Sequence, residues 1–95
     1  MPYVKPELRD LIKPALKEIS LYLMHPGDLT FAITYLMHLY AMAMPEPNFD
    51  RLSDALKAAE CAKLEFYRVV MGPYEDEKRA ENGPVSHLDW VPKVP

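Results

Sequence analysis

Residues 29–44, LTFAITYLMHLYAMAM, decide how the rest of the chain is read. Apolar side chains run through them almost without a break. The polar ones, Thr30, Thr34 and His38, fall four residues apart, the spacing that draws one narrow strip along an α-helix. A half-buried strand would alternate instead, and this segment does not. From Ile19 to Pro45 the single formal charge is Asp28. A helix that is apolar nearly all round must be surrounded by protein on most sides. The stretch therefore implies neighbours, and two helices from the same small chain cannot wrap it completely.

Toward the amino end, His25-Pro26-Gly27-Asp28 breaks the chain, and Asp28 is expected to cap a helix running from about Leu29 to Met44. Before the break, Leu8, Leu11, Ile12, Ala15, Leu16, Ile19, Tyr22 and Leu23 keep the three-and-four spacing of one helix face. Pro14 lacks an amide and pushes Lys13 away from helical geometry. A short first piece from about Pro6 and a fresh start at Pro14 are predicted, with a gently kinked single helix as the alternative.

Toward the carboxyl end, Pro45-Glu46-Pro47 stops the apolar helix, and Asn48 or Asp50 can cap a third. Its inward face is predicted to be Phe49, Leu52, Leu56, Ala59, Ala62, Phe66, Val69 and Val70, with Ala55, Ala58 and Cys61 keeping the neighbourhood slim. Two stop signals follow, Gly72-Pro73 and Asn82-Gly83-Pro84. An unbroken helix from Phe49 to Asn82 would span about 50 Å at the usual rise, against a diameter of roughly 30 Å for a compact domain of this size. A kink or break at Gly72-Pro73 and a short fourth helix from about Pro73 to Glu81 are expected. The expected fold is all-α: a small bundle of three main helices, the first broken near Pro14 and the third kinked or broken at Gly72-Pro73. It forms a single domain over 1–83, followed by an extended tail over 84–95 that Val85, Leu88, Trp90 and Val91 would dock.

The 95 residues, about half hydrophobic, allow one small domain with a modest core. Charge is nearly even along the length: residues 1–50 carry four basic and six acidic side chains, residues 51–95 seven and eight. Neither half is a polybasic arm, so no nucleic-acid partner is expected. With Gly27, Gly72 and Gly83 as its three glycines, the chain has no glycine-rich phosphate cradle. One cysteine builds neither a disulfide framework nor a metal cluster. No apolar run reaches membrane-spanning length, and the amino end lacks a signal-peptide layout. A cytoplasmic protein without membrane contact is the expectation.

The charged stretch 60–83, ECAKLEFYRVVMGPYEDEKRAENG, holds the residues most open to a chemical reading. Glu75, Asp76 and Glu77 would sit in the first turn of the fourth helix, where the dipole favours negative charge, and Glu75 can reach Arg79 four residues on. A stabilised surface helix explains them without further purpose. A metal or acid/base site would need carboxylates converging from a second element, and Glu60 and Glu65 have no spacing that aims them there. His38 lacks a second histidine at helical spacing, with Thr34 and Met42 four residues either side, and is expected to be a hydrogen-bonded core residue. Cys61 is expected to be a small buried packing residue. No metal or cofactor is expected, and no nucleophile, base and orienter occur together.

The same stretch 60–83 resembles the carboxyl-terminal signature of a family of small uncharacterised proteins common in bacterial and phage genomes. The opening MPYVKPELRD and the LMHLY at 36–40 resemble that family too, over about the first 85 residues. The resemblance implies a domain of unknown function and transfers no catalytic residue. After Gly83 the family pattern implies an aspartate, where this chain has Pro84.

The function expected from the residues is a non-enzymatic interaction or accessory protein that self-associates as a homodimer or larger oligomer, with a further protein partner possible. Phe31, Tyr35, Leu39 and Met42 would form the oligomer face. Two rivals stand beside it. The first is a binder of an anionic, nucleotide-like molecule through Tyr67, Arg68, Tyr74, Lys78 and Arg79. The other is an all-α, magnesium-dependent nucleotide pyrophosphohydrolase, for which Glu7 with Asp10 or Asp50 with Asp54 are poor stand-ins for paired metal-binding glutamates.

Overall fold

The structure, a computed structural model, describes residues 2–90. Four α-helices follow one another: α1 (Pro6–Ser20), α2 (Pro26–Met42), α3 (Phe49–Phe66) and α4 (Gly72–Asn82). A π-helical turn at Tyr67–Met71 joins α3 to α4, and a 3-10 turn at His87–Trp90 follows α4. There is no strand among the described residues, so the all-α expectation holds. The chain divides into two compact units, Met1–Lys63 and Leu64–Pro95.

The first helix runs through Pro14 without a break, against the expected fresh start there. A proline inside a helix forfeits one bond, to the Asp10 carbonyl, and crowds that oxygen; the general cost is about 3 kcal/mol. The chain accepts that cost here, and α1 is the weaker for it. Its start is tied by Arg9 Nε, which donates to the Val4 carbonyl at 2.8 Å. Its end is closed by Ser20 Oγ on the Lys17 carbonyl at 2.6 Å.

The second helix begins earlier than predicted because Pro26, with φ already helical, takes its first position. Asp28 therefore lies inside the first turn rather than at the cap. From there its carboxylate reaches back to accept the Met24 and His25 amides, both at 3.0 Å. The one formal charge of the segment is spent on holding the entry to α2. At α3 the capping expectation is met, with Asn48 Oδ1 accepting the Arg51 amide at 2.9 Å.

The interruption near Gly72-Pro73 takes the form of the π turn just ahead of the pair. Pro73 has no amide for the Val69 carbonyl, and its ring would press on that oxygen in a regular helix. A wider turn relieves this: the Gly72 amide bonds to the Tyr67 carbonyl five residues back. Glycine suits the position, since a Cβ there would stand 3.2 Å from the Tyr67 oxygen. Helix α4 stops where expected, at Gly83 with φ 86°, whose amide closes on the Arg79 carbonyl at 2.8 Å.

The segment after Gly83 is less extended than predicted. Its described part folds into the 3-10 turn through polar bonds: Val85 donates to the Asp89 carboxylate at 2.8 Å, and Arg79 Nη1 holds the Asp89 carbonyl at 3.2 Å. Val85 and Leu88 stay exposed and do not dock it. The Trp90 side chain and Val91 lie outside the described residues.

The core of the first unit is small. Among the described residues only Ala41 and Ala55 are buried, 8% and 7% exposed, and they mark the seam where α2 meets α3. The predicted inward face of α3 is not buried: Phe49 is 81% exposed, Leu52 and Leu56 border the groove beside α2 but stay exposed, and Phe66 is exposed too. The side chains left at the junction of the two helices are alanines, whose methyl groups bury little surface. The predicted core face of α1 is likewise uncovered, its leucines and isoleucines all exposed.

Replacing Ala55 by leucine inserts bulk at one of the two buried positions of this seam. A loss of about 1–3 kcal/mol is expected from overpacking, read as a lower urea midpoint by circular dichroism. A midpoint equal to or above that of the parent would show that the seam is not closed there.

Candidate functional site

The α2–α3 hairpin is clasped by Arg51. Its guanidinium lies over the Tyr40 ring, 3.4 Å from the centroid, and its Nε donates to the Tyr40 carbonyl at 3.0 Å. The carbonyl is one of the last in α2, where a cation meets the negative end of the helix dipole. One side chain thus joins the end of one helix to the first turn of the next. Nothing in the hydrophobic pattern singled Arg51 out.

Two concavities flank the clasped seam. The first, about 450 Å³, is walled by Met37, His38, Ala41 and Met42 of α2, by Pro47 of the connection, and by Leu52, Ala55 and Leu56 of α3. The second, about 270 Å³, lies along Ile33, Leu36, Met37 and Tyr40 of α2 and Ala55, Ala58 and Ala59 of α3. Both are hydrocarbon surfaces. His38 is the one titratable group in the walls of the first, and it is exposed and without a hydrogen bond among the described residues, not the bonded core residue expected. The hydroxyls of Thr30 and Thr34 are spent within α2, on the Pro26 and Thr30 carbonyls at 3.0 and 2.8 Å. The polar strip of α2 therefore offers a ligand little beyond the imidazole.

Beside the first groove, Phe31, Tyr35, Leu39 and Met42 follow one another at helical spacing along α2, and all four are exposed; Met42 also walls that groove. Phe31 and Tyr35 stack in parallel, 6.1 Å between centroids and 14° between planes, and Phe31 remains 70% exposed. These are the residues expected to form an oligomer face; the spacing along one helix sets them side by side. Leu52 and Leu56 extend the apolar surface onto α3.

In the second unit, the five residues expected to hold an anion are each engaged locally or open to solvent. Arg68 pairs with Glu65 at 2.9 Å, and Lys78 with Glu81 at 3.4 Å while its ammonium stands 5.6 Å from the Tyr74 centroid. Arg79 pairs with Asp76 at 3.4 Å, three residues back, rather than with Glu75. Each of the three cations has a carboxylate of its own helical stretch beside it; Tyr67 and Tyr74 are exposed. Such exposed pairs are worth about 0–1 kcal/mol each.

Cys61 is exposed, against the expected buried position. With Lys57, Ala58 and Ala62 it borders a shallow recess reached by Pro2. No three His, Cys, Asp or Glu side chains converge on a possible metal position among the described residues, and no described helix is long and apolar enough to cross a membrane. What the geometry offers is apolar surface: open helical faces and grooves beside an alanine seam.

These features define a small all-α protein whose conspicuous feature is exposed hydrophobic surface. Residues 1–85 match the family model described as Domain of unknown function (DUF6899), and the chain belongs to that family. No curated protein and no solved structure matches it.

Removing the clasp tests its weight. Arg51→Ala is expected to lower stability by about 1–2 kcal/mol, from the lost cation–π contact and hydrogen bond, measured by urea denaturation. A change below a few tenths of a kcal/mol would show the clasp to be ornamental.

Proposed function

We propose that this protein is a non-enzymatic helical accessory protein that acts in the cytoplasm of a bacterial or phage-infected cell as a homodimer or larger self-assembly, joined through an exposed face of α2. The observation that carries this reading is the uncovered state of that face. Phe31, Tyr35, Leu39 and Met42 lie in the open on the helix with no formal charge after Asp28, although apolar burial is the main term that folds a chain of this kind.

A second copy is the simplest source of cover, because a two-fold axis sets the same patch against itself and stacked aromatic rings suit the centre of such a seam.

Light scattering on a sizing column at micromolar concentration tests the reading. The parent chain is expected at no less than twice its 10.9 kDa, and the double variant Phe31→Asp/Tyr35→Asp at the monomer mass. Both positions are exposed in the single chain, so on a true monomer these changes would cost within about 0.5 kcal/mol. A parent chain that elutes as a monomer would end the proposal.

A further inference from the structure

A separate apolar surface needs an occupant. Helix α1 carries its stripe of Leu8, Leu11, Ile12, Leu16 and Ile19 between 39% and 74% exposed. With 15 residues it has the length at which an isolated helix is marginal in water, and Pro14 removes one of its bonds. Such a helix is held by what covers its apolar face. In its own chain that face is open.

On the hairpin, the alanine-walled groove of about 270 Å³ is open as well. Ala58 and Ala59 on α3 keep its floor low enough for a helix to lie close, while Ile33, Leu36 and Tyr40 form the opposite wall. Charge matches across the two surfaces. Arg9, Lys13 and Lys17 recur every four residues along one edge of the α1 stripe, with Lys5 one step before. Asp50 and Asp54 precede Ala58 at the same four-residue spacing, on the row of α3 that borders the groove. Among the described residues, Lys13, Lys17, Asp50 and Asp54 form no ion pair.

We propose that α1 of one copy occupies the alanine-walled groove of a second copy, so that two chains exchange their first helices. This rests on the self-association read above and adds a second contact to it. Each copy presents both the helix and the groove, so a two-fold exchange fills both sites and leaves no open end. The basic edge of α1 then runs along the Asp50–Asp54 row of the partner, which sets the direction of the incoming helix.

Cysteine pairing tests the exchange. In a Cys61→Ser background, a tagged chain with Ile12→Cys is mixed with an untagged chain carrying Ala59→Cys and then oxidised. The expected product is a disulfide-linked tagged–untagged pair, absent when either chain is oxidised alone. A second arm needs no cross-link. Lys13→Glu/Lys17→Glu and Asp50→Lys/Asp54→Lys should each weaken self-association about tenfold, and mixing the two should restore it. A bond that forms within one chain of the Ile12→Cys/Ala59→Cys double variant overturns the exchange. So does an assembled parent protein that yields no mixed pair; the α2 seam then survives alone. A monomeric parent protein removes both.

Discussion

The first unit depends on the junction of α2 with α3. Arg51 clasps the end of α2 over the Tyr40 ring, and the side chains buried nearby are the alanines Ala41 and Ala55. Alanine methyls cover little surface, so the large side chains around them stay exposed. The grooves beside Met37 are bounded by those side chains.

This explains why so hydrophobic a chain buries so little. The apolar residues are present in number; they are distributed around helices that bury little of one another. Polar groups are satisfied locally: Thr30 and Thr34 bond within their helix, Asp28 serves the chain entry, and Asp89 organises the segment after Gly83. Side chains that bond to their own neighbours are unavailable for chemistry, and no reactive constellation is assembled from the described residues. What the described surface offers is shape and hydrocarbon.

Much of the fold was legible in the residues. The charge-free run to Met44, the proline and glycine punctuation, and the Asn48 cap each state a local preference strong enough to survive in the structure. The four residues proposed for an oligomer face share one side of α2 by spacing alone. Three readings went astray for one reason, which is that periodicity shows which residues share a face but not how much of that face is covered. His38 and Cys61 were placed in a core that only Ala41 and Ala55 occupy among the described residues, and Phe49, Leu52 and Leu56 were expected buried on the strength of their size. Pro14 erred differently: its local penalty is real, but one lost bond does not end a helix whose neighbouring turns are intact. Arg51 left no trace in the pattern, because its role depends on where α2 ends.

The π turn has a consequence for how this chain tolerates change in length. Most positions in a helix cannot gain or lose a residue without swinging every later side chain about 100° around the axis. A five-residue turn already carries one residue beyond the regular count, so the faces on either side keep their orientation if that extra residue is lost. Pro73 opposes the loss, because a regular turn would bring its ring against the carbonyl four residues back. Proline and wide turn therefore form a linked pair, and a relative lacking one is expected to lack the other.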